Sequence, residues 1–452
     1  MPPQPPPQRV HVGGPVSDRT AIDDYLSDGI GFITRCARTY GDVVPLPFHV
    51  GRRMFWVVSD PATVLEILSR RASSFRKGHA YRRAKAAIGE GLFTSDGEVH
   101  RRHRQLATPS FRAEEIRRYG ERMIELVGDV VSGWTEGATV DLSGEMSRVT
   151  LTVVARTLFG TDLFDRAPHL AGTLVKLLEL LHGRTRAIEV GQSHVEPAEL
   201  ERFASLRASF DETVFAMIRE RRASGTHGDD LMGRLIGASD EAFGGFDDYE
   251  LRDEVVTLLV SGHDTTGVTL SFALWLLACR PDMCSAAEAE VDRVLGDGPL
   301  TLDMIPRLQL LGQVFDETLR LYPPVWMLAR EAVEDVELPR LTVRKGDSVG
   351  VSLFVLHRDP RWWAEPDAFR PERFAPGAPA PAPGTYMPFG TGKRACIGRS
   401  FAEVEALLVL AAVLRSVRLE IDTTHPPRLV PYMLLRPAEG IIAKVRRRRA
   451  LA

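Results

Sequence analysis

The sequence predicts a mainly α fold, a single large helical domain with small β-sheets at one edge. From about Glu114 to Leu277 the apolar residues recur mostly three and four positions apart, the spacing of helices that bury one face. Short β-like runs stand outside that stretch, near Val43 to Val58 and from Val333 to Val351. No Gly/Ser-rich linker, internal repeat or long block of charge divides the 452 residues, and 44% of them are hydrophobic, enough for one large core.

Taken in order, residues 1–20 are expected to be a disordered N-terminal segment and residues 21–452 a single catalytic domain. Met1 to Pro7 is proline-rich, with neither the charged start nor the apolar run of a signal peptide, which argues against secretion. Val43-Val44-Pro45-Leu46 and Met54-Phe55-Trp56-Val57-Val58 flank Gly51-Arg52-Arg53 and read as a small hairpin. Asp60-Pro61 then opens a helix with a capping acid and a proline at the first helical position. Long helices follow to Leu277, another begins at Pro281, and Leu310 to Leu321 is a further one, before the short runs of a minor sheet.

Val255 to Cys279 is the one apolar stretch long enough to raise the question of a membrane span, but Gly262-His263-Asp264-Thr265-Thr266-Gly267 interrupts it with a charge at mid-span. It reads as a buried helix with a local break, because two glycines in a helix interior cost about 2 kcal/mol against alanine and so imply a need for space or a bulge. No membrane anchor is expected. A net charge of −3 gives no reason to expect nucleic acid, and Arg446 to Arg449 reads as a solvated tail. Four cysteines without close spacing suit a reducing compartment, so a cytoplasmic location is expected.

Cys36, Cys279 and Cys284 read as buried structural thiols. Cys396 differs, because it lies within Phe389-Gly390-Thr391-Gly392-Lys393-Arg394-Ala395-Cys396-Ile397-Gly398. No second Cys or His stands at zinc spacing, so a single soft ligand offered to a large planar cofactor explains the segment best. Gly390 and Gly392 permit a tight path that brings amides near the sulfur, and these amides, with the helix start near Gly398, are expected to hold it as a thiolate. Phe389 supplies an apolar wall and Arg394 a cation. A dinucleotide fingerprint is rejected because a proline-rich stretch from Pro376 to Pro388 stands where its strand belongs, and a phosphate loop because Met387 replaces the first glycine and Arg394 the Ser or Thr.

The segment resembles the ligand loop of the cytochrome P-450 family, the haem-thiolate monooxygenases, whose pattern Phe-x-x-Gly-x-Arg-x-Cys-x-Gly it meets at every fixed position. The resemblance extends from about Tyr40 to the C-terminus and is to the soluble bacterial type. It implies the cytochrome P-450 fold, haem b (iron protoporphyrin IX) with Cys396 as the metal ligand, and insertion of one oxygen atom from dioxygen into a lipophilic small molecule. No electron-transfer domain is fused, so a ferredoxin and a ferredoxin reductase are the implied donors. A peroxide-driven peroxygenase and a non-enzymatic haem sensor or carrier are the alternatives. Retention of Asp264 and Thr265 argues against the former, since peroxide brings its own protons.

The resemblance also distributes roles. Asp264 and Thr265 match the acid–alcohol pair that delivers protons to bound oxygen, with Gly262 leaving a groove for it; Ser261 departs from the family's small first residue and offers an additional hydroxyl. Haem propionates are expected to meet His100, Arg104, Arg330 and Arg394. Glu317 and Arg320, three apart on one helical face, are expected to join Arg373 in a buried structural network. Leu258, Ser261, Gly262, Val325, Trp326, Met433 and Leu434 are placed around the substrate cavity, with the segment from Tyr81 to Phe93. Arg101, Arg102, Lys393 and Arg399 suggest a basic docking patch for an acidic ferredoxin.

Overall fold

The computed structural model describes residues 14–15, 19–50, 53–160, 173, 176–177, 180, 196–225, 228, 230–240, 244–431 and 433–448. The segment expected to be disordered, 1–20, therefore lies almost wholly outside the described residues. Helices α1 (Arg19–Ser27) and α2 (Gly29–Tyr40) lead into strands β1 (Val43–Val50) and β2 (Arg53–Val58). After α3 (Pro61–Leu65) and a π turn at Glu66–Arg70 come β3 (Phe75–Lys77), α4 (His79–Ile88), α5 (Gly97–Ala107), α6 (Ala113–Ser132), β4 (Thr139–Asp141) and α7 (Leu142–Phe159). Next are α8 (Pro197–Ala223), α9 (Leu231–Gly237), the short pair β5 (Ser239–Asp240) and β6 (Gly244–Gly245), α10 (Asp248–Ala278), α11 (Pro281–Leu295) and α12 (Gln309–Leu321). The chain closes with β7 (Met327–Ala332), β8 (Val336–Glu337), β9 (Thr342–Val343), β10 (Ser348–Ser352), α13 (Leu353–Leu356), α14 (Arg399–Ser416), β11 (Val417–Ile421), β12 (Leu429–Pro431), β13 (Leu435–Pro437) and β14 (Ile442–Arg447).

The hairpin read from the sequence is present, with Val43 opposite Val58, and it forms one side of a five-stranded sheet of order β1-β2-β10-β7-β3. Asp60 caps α3 by accepting from the Thr63 amide at 2.8 Å. The main core lies among α6, α7, α10 and α14, where Tyr119, Met146, Phe272 and Leu410 are fully enclosed. No helix among the described residues is long and apolar enough to cross a membrane.

Two expectations are corrected here. Helix α10 is not broken at Gly262–Gly267 but runs without interruption for 31 residues from a capping box formed by Asp247 and Glu250. Its glycines serve helix packing: a Cβ at Gly262 would stand 3.1 Å from Val154 Cγ2, and one at Gly267 3.1 Å from the Ser147 backbone, both on α7. Their cost is offset by the close approach of two long helices, sealed where Thr150 Oγ1 donates to the His263 carbonyl at 2.7 Å. The basic run at 446–448 is not a tail. Arg446 and Arg447 belong to β14, the middle strand of the sheet β11-β14-β4, and Arg446 pairs with Glu420 at 2.9 Å while Arg448 pairs with Asp292 at 2.8 Å. Alternation explains Arg446, because Ala443 and Val445 point into the core and leave Lys444 and Arg446 on the other face.

Candidate active site

The loop around Cys396 is shaped by its own backbone. Gly390 donates to the Met387 carbonyl at 2.9 Å, Ala395 to that of Gly392 at 3.1 Å, and Cys396 to that of Phe389 at 2.8 Å. Gly390 and Gly392 both adopt φ of 69°, a conformation that favours glycine. A Cβ at Gly392 would also fall 2.6 Å from the Leu68 carbonyl, so the loop is pressed against the π turn. Behind it the buried His357 accepts from the Met387 amide at 3.1 Å; burial, then Arg320 and Arg358, lower its pKa to about 3 and keep that ring neutral. Phe389 sits between the Phe315 ring, 6.4 Å away, and the Arg399 guanidinium at 5.4 Å.

Cys396 counts as exposed by surface area, yet burial pushes its thiol up. The two facts agree if the sulfur faces an enclosed space inside the protein rather than its outer surface. The Gly398 amide, Arg104 and Arg399 oppose the rise without cancelling it. The surrounding amides and cations thus favour the thiolate while burial works against it. Arg104 is drawn to the loop itself, where Nη1 donates to the Ala395 carbonyl at 2.6 Å.

The other cations gather on one side. Lys77, 8% exposed, lies on the same buried face of β3 as Phe75, with Nζ 4.4 Å from the Tyr81 ring centroid and 5.1 Å from that of Phe93. Arg330 is buried and meets the Tyr81 hydroxyl. Arg394 donates to the Ser95 carbonyl at 3.0 Å and pairs with Asp96, whose carboxylate also accepts from the Lys77 amide at 3.0 Å. Burial, then Arg330 and Arg394, hold Lys77 well below the usual ammonium range. His100 is lowered to about 3 by burial, then by Arg394, Lys77 and Arg104. Buried Lys77 and Arg330 and half-buried Arg394 thus crowd around the carboxylate of Asp96, an excess of positive charge that calls for an anionic ligand. Sequence reasoning missed Lys77 and Asp96; the two-residue period from Phe75 to Lys77 was the available signal.

On α10, Asp264 forms an ion pair with Arg436 of β13, a partner that no local pattern announces. Thr265 Oγ1 donates to the Ser261 carbonyl at 2.9 Å, and the Ser261 hydroxyl returns to the Thr257 carbonyl, so the additional hydroxyl expected for substrate or water is engaged within the helix. On α14, Glu405 is fully buried. Burial raises its carboxyl well above the ordinary range, and Thr266 opposes this without a hydrogen bond of normal geometry to either oxygen.

Glu317, Arg320 and Arg373 come together as expected. Arg320 donates to both Glu317 oxygens at 2.7 Å and to the carbonyls of His357, Pro366 and Ala368, while Arg373 Nε reaches Glu317 at 3.3 Å and the Arg370 amide reaches it at 2.9 Å.

The residues placed around the substrate cavity divide. Leu258 and Leu434 are buried, Val325 is half-buried, and Met433 is 38% exposed at the turn between β12 and β13. Trp326 packs with Ile33, Phe354 and Leu435 in a core under the N-terminal helices, which corrects its placement in the cavity; Gly262 is likewise corrected, since its missing side chain makes room for α7. Of the supposed docking cations, Arg101 pairs with Glu98, Arg102 with Glu250 and Arg399 with Glu403, while Lys393 is exposed.

A cysteine on a tight glycine-shaped loop, an excess of enclosed cations, and an acid with a hydroxyl on a long helix form the donor set of a haem-thiolate centre. A family model described as Cytochrome P450 matches residues 24–445, and the chain belongs to that family. It is 36% identical over 381 residues to "Cyclooctatin synthase" of Streptomyces melanosporofaciens, covering 83% of this chain and 82% of that protein. It is 32% identical over 384 residues to "Cyclooctat-9-en-7-ol 5-monooxygenase" of the same organism, covering 84% and 83%. The fold superposes on the crystal structure of the cytochrome P450DA heme domain with a TM-score of 0.88 at 29% identity, over 97% of this chain and 98% of that one. The protein is accordingly an oxidoreductase of the P-450 monooxygenase family.

Proposed function

We propose that the chain, acting as one catalytic unit over residues 21–452 in the cytoplasm, binds haem b and oxidises a terpenoid small molecule with electrons from a separate ferredoxin and ferredoxin reductase. The observation that carries this is the gathering of buried Lys77 and Arg330 with half-buried Arg394, a residue of the Cys396 loop, around Asp96, while the names of the two Streptomyces relatives support the substrate class. Haem, once bound, would supply the oxygen activation, which a thiolate ligand favours. The rest is the work of side chains. Cys396 is the metal ligand, and the Gly398 amide donates to its sulfur. Lys77, Arg330 and Arg394, with neutral His100, hold the two propionates, and Phe389 and Gly390 shape the loop that keeps water from the sulfur.

Asp264 takes protons from the solvent side and Thr265 orients the water that receives them. Leu258, Val325, Met433 and Leu434 bound the substrate. The Glu317, Arg320 and Arg373 network keeps the ligand loop in register.

The test has two parts. Cys396→Ser is expected to lose the red-shifted band of the reduced carbonyl complex, and a variant that retains this band removes Cys396 as ligand. Titration of the oxidised protein with cyclooctat-9-en-7-ol is expected to give a blue shift of the haem band, and turnover an oxygenated product. A fatty acid of similar mass that gives both while the terpenoid gives neither overturns the substrate class.

A further inference from the structure

We propose that Glu254 is a positioning residue for the cofactor, which through His103 seats α5 and the loop before it on α10. The inference rests on the haem-binding reading and adds what holds one side of that site in place. Helix α5 carries His100 and Arg104, and the loop before it carries Ser95 and Asp96, the groups that meet Arg394 and Lys77. His103 stands between His100 and Arg104, and its Nδ1 lies 2.7 Å from Glu254 Oε1, with both side chains enclosed. Neither His103 Nε2 nor Glu254 Oε2 has a hydrogen-bond partner among the described residues, so nothing replaces the contact when it breaks. The Leu92 amide faces the same carboxylate, and a Cβ at Gly91 would stand 2.5 Å from the Asp253 carbonyl of α10. One carboxylate of α10 thus meets both segments that flank the cationic group.

The contact is also a charged one. Burial works against a proton on His103, but the hydrogen bond and charge of Glu254, then Glu250 at 3.6 Å from Nε2, outweigh it and raise the ring above its ordinary pKa of 6.5. Burial raises Glu254, and His103 opposes that rise. The remaining charges around the pair are Asp253 beside Glu254, Arg102, which pairs with Glu250, and His100 one turn away on α5. The Phe246 ring closes the edge, 5.3 Å from that of His103. A group whose folded pKa is raised contributes in full below its unfolded value. The seat is therefore complete below about pH 6.5 and weakens as pH rises through the folded value.

The test uses the haem-loaded full chain and follows transfer of haem to an excess of apomyoglobin between about pH 6.5 and 9, without turnover. Wild-type transfer is expected to accelerate as pH rises. Glu254→Gln, which keeps the shape and loses the charge, and His103→Gln are expected to release haem about tenfold faster at the low end, as loss of a buried charge-assisted hydrogen bond should, and to lose the acceleration. Glu250→Gln leaves the pair intact and removes one charge that raises His103, so it is expected to keep the slow release and to begin accelerating at lower pH. A role in packing alone would speed release equally at every pH. Wild-type release in both Glu254→Gln and His103→Gln, or faster release that keeps the wild-type pH rise, overturns the assignment. Should Glu254→Gln fail to fold, His103→Gln decides by the same two measures. A wild-type chain that takes up no haem removes the haem-binding reading itself, and the seat falls with it.

Discussion

Two arginine-rich regions of this molecule differ in how their excess positive charge is met. Around Glu317 two guanidinium groups share one carboxylate and hydrogen bonds take up the rest: Arg320 is fully enclosed, paired through both Glu317 oxygens and tied to three backbone carbonyls, with Arg373 and the Arg370 amide on the same carboxylate. Around Lys77 the charges do not balance, since Lys77, Arg330 and Arg394 share Asp96, and burial followed by the Arg330 charge lowers both Lys77 and Arg394. A closed network holds a fold together, whereas one left positive is built to receive something. Buried charge becomes informative about function when its partners are counted.

The sharpest way to break this contrast is Glu317→Gln. It leaves the fully buried Arg320 and the half-buried Arg373 without their carboxylate and is expected to cost about 3–5 kcal/mol, seen as a large fall in the unfolding midpoint with or without haem. Lys77→Met should do the reverse in the cofactor-free protein, leaving the midpoint unchanged or higher, while haem affinity in a titration falls about tenfold because one charge-assisted hydrogen bond to the cofactor is removed. A cofactor-free Lys77→Met protein as unstable as Glu317→Gln would end the distinction.

The smallest effect concerns pH. The folded pKa of His100 is lowered to about 3, so the unfolded chain binds more protons below about 6.5 and cofactor-free stability declines as pH falls through that range. His100→Gln is expected to flatten the part of that decline between about pH 6.5 and 4 that histidine causes, read as the difference between the two unfolding curves. Parallel curves would show that His100 does not feel the cationic group.

What could be read without coordinates was local. The ten residues ending at Gly398 and the pair Glu317 and Arg320 carry their meaning in short spacing, and helices α11 and α12 in their period. Long-range partners, Arg373 apart, which the family resemblance supplied, were not legible. Gly262 and Gly267 read as a break because the helix that fills their space, α7, lies more than a hundred residues earlier; Trp326 read as cavity because nothing nearby reveals the core it joins. Arg436 and Lys77 gave no motif at all, since each is defined by a group on another element. Arg446 misled through composition: a run of arginines suggests solvent, but β-alternation with Ala443 and Val445 placed it in a sheet.

Helix α10 carries one more consequence in its row of hydroxyls. Ser261, Thr265, Thr269 and Ser271 each donate to the carbonyl four residues back, to Thr257, Ser261, Thr265 and Gly267, while the helical ladder stays intact. Those carbonyls therefore carry two donors apiece, and the second is dispensable. A hydroxyl that swings away leaves the backbone bond in place, so the helix keeps a reserve of hydrogen-bonding capacity that it can lend to a passing water without unwinding. Stiffness of the rod and adaptability of its polar edge are thus separate properties, carried by different atoms of the same residues.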